Sequence, residues 1–170
     1  MLSRCVRALC GLGALCLIVL PAFVWSSPDW IEQTAASQWG LAAHAIQLGL
    51  HNRLLGAAAS MLPALVALFV LWQVWSLFGA YGQGQIFTPA SVLRLKRVAQ
   101  GMLCLPLAQP LSVALVGLAL TMDNPSGQRA LILNVHWHDY LALLFGLIML
   151  AIASVMAEAV RVADENAGFI

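Results

Sequence analysis

Long apolar runs, separated by short polar segments, set the pattern of this chain. Four of them, residues 8–28, 54–93, 98–122 and 140–157, contain no Asp, Glu, Lys or Arg. A helix that crosses the hydrocarbon core of a bilayer needs about 20 mostly apolar residues, with a working range of about 17–25. All four runs are long enough. The pattern predicts an all-α membrane protein with four transmembrane helices near residues 8–26, 58–81, 100–122 and 139–158, packed as a four-helix bundle in a single domain over 1–170.

The segment between the first two spans, W-I-E-Q-T-A-A-S-Q-W-G-L-A-A-H-A-I-Q-L-G-L-H-N-R-L-L-G, is too polar to cross and too apolar to float in water. Trp30 and Trp39 suit the headgroup layer, where an amphipathic ring satisfies both solvents. One or two short interfacial helices on the outer face are expected here.

Composition agrees. The chain is 62% hydrophobic and 9% charged, with a mean hydropathy of +0.89, whereas soluble domains carry about 25% charged residues. A net charge of +1 and the lack of a long basic run give no footprint for direct nucleic-acid binding. Cys5, Cys10, Cys16 and Cys104 form no Cys-x-x-Cys pair and lie in or beside apolar runs. They read as buried thiols rather than a disulfide framework or zinc site.

The eight basic residues are distributed unevenly. Arg4 and Arg7 precede the first span, Arg94, Lys96 and Arg97 lie between the second and third, and Arg161 follows the fourth. Only Arg53 and Arg129 fall in the alternate loops. Basic loops stay on the cytoplasmic side, so both termini and the middle loop are expected there. Arg4 and Arg7 before an apolar run also fit a cleavable signal, with Val24 and Ser26 as its cleavage site. The run continues through Pro21, Phe23 and Trp25 with no Ala-x-Ala pair after it, which favours a retained anchor.

Within the spans, Pro106 and Pro110 each remove a backbone donor and crowd the carbonyl four residues earlier, so a kink is expected in the third. Gln109, between them, is placed to bond freed carbonyls, and Gln73 is its counterpart in the second span. Both read as interhelical glue, with a solute pathway as the other reading. Charged residues, the usual mark of an ion path, are missing from the spans.

Residues 81–97, Y-G-Q-G-Q-I-F-T-P-A-S-V-L-R-L-K-R, raise the question of phosphate binding. The motif fails: a phosphate loop needs G-x-x-x-x-G-K-[ST] after a strand, and here the glycines follow a span. Instead they let the chain turn, Thr88 caps the next helix and Pro89 takes its first position. Phe87 is placed to staple onto Val92. Arg94 and Arg97 share one flank, with Lys96 nearby. They fit two roles, anchors among anionic headgroups and a docking surface for an acidic cytoplasmic partner.

At the C-terminus, Glu158, Arg161, Asp164 and Glu165 extend the fourth span, with Glu158–Arg161 and Arg161–Glu165 as neighbours on one face. Gly168 finishes the helix. Pairing of Glu158 or Asp164 with Arg94 or Arg97 is expected to clamp the two cytoplasmic helices together. On the other side, His136, His138 and Asp139 have metal-ligand chemistry, with His44 and His51 on the same face. On a helix, however, His-x-His points its rings about 200° apart. No metal or cofactor is therefore expected, and Trp137 and Tyr140 mark an interfacial belt.

The segment G-Q-I-F-T-P-A-S-V-L-R-L-K-R-V-A-Q-G, followed by a proline-bearing span, resembles the central signature of the domain of unknown function 2975 family. The terminal A-E-A-V-R-V-A-D-E-N-A-G-F-I is similar to that family's ending. Family members often place an acidic residue and Asn after the Phe-Ser/Thr, where this chain has Pro89, Ala90 and Ser91. The resemblance implies a small bacterial inner-membrane protein of four helices with no established activity. Some members are encoded beside small helix-turn-helix regulators. With no nucleophile–base pair and no cofactor motif, a non-enzymatic regulatory protein is expected, docking a partner through residues 84–97 and the tail at 158–170. The alternative is an oligomeric transporter or channel subunit, with Gly11, Gly13, Ala14 and Ala57 to Ala59 allowing close contact between copies.

Overall fold

The computed structural model describes residues 2–125 and 127–167, without the side chains of Asp164, Asn166 and Ala167. The expected helix end at Gly168 lies outside the described residues. The chain forms five helices: α1 (Leu2–Ser26), α2 (Pro28–Ser37), α3 (Leu50–Tyr81), α4 (Pro89–Thr121) and α5 (Trp137–Ala167). All but α2 are long and apolar enough to cross a membrane.

The long helices exceed their expected spans. α3 begins at Leu50 rather than near 58, α4 at Pro89 rather than near 100, and α5 continues to Ala167. At 1.5 Å per residue, the 32 residues of α3 extend about 48 Å, well past a hydrocarbon core of about 30 Å. A helix satisfies its own backbone in lipid and in water alike, so it has no reason to stop where the apolar run does. For the same reason only one interfacial helix, α2, forms between α1 and α3. After it Gly40, with φ +70°, turns the chain into an irregular strap over 41–49, and the remainder of the segment becomes the opening turns of α3.

The long helices pack successively, α1 on α3, α3 on α4 and α4 on α5, and α2 lies against α1. Among the described residues α1 makes no contact with α5, so the helices form a row rather than a closed bundle. The central position of α4 shows in its burial: 44% of its most apolar window is buried, against 11% in each of the other three. The remaining apolar surface, including Leu12, Phe23, Leu107, Phe145 and Val155, is exposed. A surface of that extent is unsuited to water and matches lipid.

Close helix approach depends on small residues. A Cβ on Gly101 of α4 would come within 2.4 Å of Val70 Cγ2 in α3. Gly11 and Gly13 meet Trp75 and Leu71 of α3. Gly11 and Gly13 thus serve packing within one chain.

Prolines are handled locally. α4 runs unbroken through Pro106 and Pro110. The telling case is Pro63 in α3. It has no N–H to donate to the carbonyl of Ala59, four residues earlier. Ser112 of α4 fills that vacancy, its hydroxyl donating to the Ala59 carbonyl at 3.0 Å. The freed acceptor is satisfied by a neighbouring helix, as lipid surroundings require.

The row has two distinct ends. The N-termini of α1 and α4 and the C-termini of α3 and α5 share the basic end, which carries Arg4, Arg7, Arg94, Lys96, Arg97 and Arg161. The opposite end is closed by a cap. There Trp25, Ile31, Ala35, Leu41, Val116, Leu120 and Ala130 bury one another, and Trp39 stacks on Trp25 with centroids 5.5 Å apart.

Candidate functional site

The basic end begins with a turn. Gly84 has φ +79°, a conformation costly for any residue with a Cβ. Thr88 then caps α4 as expected, its hydroxyl oxygen accepting from the Ser91 N–H at 3.2 Å. Ser91 is fully buried and donates to the Gln85 carbonyl at 2.8 Å, tying the turn to the helix. Pro89 occupies the first helical position. The staple does not form as expected: Phe87 is 70% exposed, while Val92 is 6% exposed and lies on the packed face of α4.

The expected clamp between α4 and α5 is corrected for Glu158 and Arg94. Arg94 turns the other way, donating from Nη1 to the Ser76 carbonyl of α3 at 3.0 Å. Glu158 bonds to Arg161 within its own helix, and Arg161 Nη1 reaches Glu165 at 2.7 Å. The i,i+3 and i,i+4 partners sit one turn away and need no movement of either helix. Arg97 is exposed to solvent, and the side chain of Asp164 lies outside the described residues.

Between α4 and α5 lies a groove of about 390 Å³. Pro89, Val92, Leu93 and Lys96 form one wall, and Ala157, Val160 and Arg161 the other. Its lining is mainly apolar; Lys96 contributes a cationic group, and the Arg161 guanidinium is held by Glu158 and Glu165. Together with the exposed Phe87 and Ile86 on the adjoining turn, it gives this end an apolar surface edged with positive charge.

At the capped end the structure brings together what helical geometry was expected to separate. His136 precedes α5 rather than lying on it, so its ring stacks on that of His138, with centroids 5.0 Å apart and planes at 17°. Asp139 is buried and accepts the His136 N–H at 2.8 Å. It also stands 3.6 Å from His138 Nε2 and 4.0 Å from His136 Nδ1. The candidate ligand atoms lie within 4.8 Å of one another, wider than the ~3.4 Å that two ligands about 2.05 Å from a tetrahedral zinc would show. The bond from the third helical residue back to the cap is half of a capping box, and a carboxylate suits the positive end of the helix dipole. Helix initiation accounts for the bond from the His136 N–H to Asp139.

Sequence reasoning missed the polar groups that hold the cap together. Asn124 is buried and donates to the Ala45 carbonyl at 2.7 Å, while its oxygen accepts from Gln47 at 3.3 Å. The Gln47 N–H reaches the Leu120 carbonyl, satisfying one of the last acceptors of α4. Asn52 is buried and donates to Asp123 at 2.9 Å. Arg53 donates to the Trp25 carbonyl at the end of α1, where a cation complements the dipole. The only signal in sequence was a concentration of amides in the two loops, which gave no pairing.

Comparison with known families places the chain in one of them. The profile described as protein of unknown function DUF2975 matches residues 32–170, well over half of the chain. The chain belongs to the DUF2975 family. No curated protein and no solved structure gives a match. The DUF2975 match covers the groove, the cap apart from Trp25 and Ile31, and the last three long helices, and it starts inside α2. α1 therefore stands outside the matched region.

Proposed function

We propose that this DUF2975 protein is a non-enzymatic regulator in the bacterial cytoplasmic membrane, and that the groove between α4 and α5 docks an acidic, amphipathic helix of a cytoplasmic partner. The observation that carries this reading is the groove itself: apolar along its floor, cationic at Lys96 on the α4 wall, and left open because Glu158 and Glu165 both pair with Arg161 within α5. A helix that lays an apolar face into such a groove and offers carboxylates to its edge matches it in shape and charge. Six of the eight basic residues lie at this end, which supports a cytoplasmic orientation for it and for both termini. The small helix-turn-helix regulators that the family resemblance implies are the partner class to test first.

A photoreactive residue at Leu93 provides the test. Leu93 lines the groove and is 49% exposed, whereas Val92 is buried and a probe there would disturb packing. Cross-linking in intact membranes should capture a small cytoplasmic regulator, and purified regulator should bind the wild-type chain but not a Lys96→Glu, Arg97→Glu variant. Capture of further copies of this chain alone would favour the oligomeric transporter or channel subunit instead.

A further inference from the structure

On the far side of α4 from this groove, the basic end carries a second feature. Arg7 of α1 and Arg94 of α4 line one pocket of about 340 Å³, together with Trp75, Ser76, Gln83 and Gln85. Among the described residues no carboxylate lines it. The Arg7 guanidinium lies over the Trp75 ring, 4.6 Å from its centroid, and its Nε is buried with no hydrogen-bond partner. Arg94 spends one donor on Ser76, and a guanidinium has five. Two cations facing one cavity repel, and a buried N–H without an acceptor is costly. An anion in the pocket removes both penalties.

The pocket does not end at its polar wall. Trp72 and Trp75 also line an adjoining apolar groove of about 390 Å³, formed with Cys10, Gly11, Ala14, Leu68 and Leu71. From Arg7 to Ala14 the axis of α1 runs about 10 Å toward the middle of the membrane. A free phosphate would fill only the polar part. A ligand with an anionic head and an acyl chain would fill both parts, and Trp72, which is 67% exposed, would lie along that chain.

We infer that the crevice between α1, α3 and α4 at the basic end binds an anionic phospholipid, its phosphate held by the forks of Arg7 and Arg94 and one acyl chain lying in the groove between α1 and α3. The guanidinium fork suits phosphate oxygens geometrically, and the Gln83 and Gln85 amides can donate to the ester and headgroup oxygens. This site is separate from the α4–α5 groove and independent of what docks there. It also gives α1 a task of its own, since Arg7 lies outside the DUF2975 match.

The test is native mass spectrometry of the full chain in detergent, with equal amounts of phosphatidylglycerol and phosphatidylcholine of identical acyl chains. Both lipids offer a phosphate to the arginines, but phosphatidylcholine also brings a quaternary ammonium against them, so the expected result is about a tenfold preference for phosphatidylglycerol, falling to parity in Arg7→Gln/Arg94→Gln. Arg97→Gln, at the same end but outside the pocket, should keep the preference. Should the double variant not fold, Arg7→Gln alone, a change to a half-buried side chain near the start of α1, reads the same loss. Ala14→Phe, which fills the groove and spares both arginines, should lower phospholipid retention. Equal retention of the two lipids, loss in Arg97→Gln as large as in the pocket variants, or retention unchanged in Ala14→Phe would overturn the site. Displacement of phosphatidylglycerol by millimolar inorganic phosphate would assign the pocket to the free ion and overturn the lipid.

Discussion

Ser112 in α4 donates a hydrogen bond to the carbonyl of Ala59 in α3, across 53 positions of sequence. That carbonyl is the one that Pro63 leaves without its helical partner. Ser112→Ala is expected to destabilise the chain by about 1 kcal/mol, within the range of interhelical hydrogen bonds in membranes. Pro63→Ala restores the intrahelical donor, so in the Pro63→Ala background the same serine change should cost markedly less. A double-mutant cycle on unfolding free energies in detergent measures that coupling, and additive effects would show that the two features are unrelated.

Trp25 rests on the backbone of α3 at Gly56. A Cβ there would come within 2.3 Å of its ring, and the indole N–H reaches Ser60 Oγ at 3.0 Å. Gly56→Ala should push the ring away, break that bond and cost about 1–3 kcal/mol, as overpacking does. Loss of near-ultraviolet circular dichroism without loss of helical signal would report the displaced indole.

Asn124 joins the strap at Ala45 and Gln47 to the loop after α4. Asn124→Ala removes the bonds to the Ala45 carbonyl and from the Gln47 amide, at a cost of about 1 kcal/mol. The strap should open before the helices do. Limited proteolysis should therefore cut within 38–49 in the variant, under conditions that leave the wild type intact.

The Arg161 network is expected to behave differently. Its pairs with Glu158 and Glu165 are exposed on both sides, and such pairs add little in water. Arg161→Gln should leave the thermal unfolding midpoint unchanged while weakening capture of the partner through the groove. A fall in the midpoint comparable to that of Asn124→Ala would give Arg161 a structural part instead.

The features legible in sequence were those fixed by a few adjacent residues. Thr88 and Pro89 announce the start of α4 because a cap is a matter of three consecutive backbone donors. Glu158, Arg161 and Glu165 declare their pairing through helical spacing alone. The unread features depend on chain segments brought together from afar. Arg94 was assigned to α5 on charge, but the carbonyl of Ser76 lay closer once α3 and α4 had packed. Helical spacing separates His136 and His138 only where one helix holds both, and α5 begins between them, at Trp137. Pro63 attracted no notice because the donor that compensates for it sits on another helix.

The single-file arrangement of the helices has a mechanical consequence. A closed ring of four rods is braced, because each is gripped along two seams, but a file has a first and a last member. α1 is hinged along its seam with α3 and pinned at one end by the cap, where Trp25 bears on Gly56 and Arg53 holds the final turn. A push on α5 at the basic end reaches α1 only through α4 and α3. At the basic end of α1, the free end of that lever, Arg7 bears on Trp75. Whatever occupies the crevice beside it therefore works at the longest arm available in the molecule.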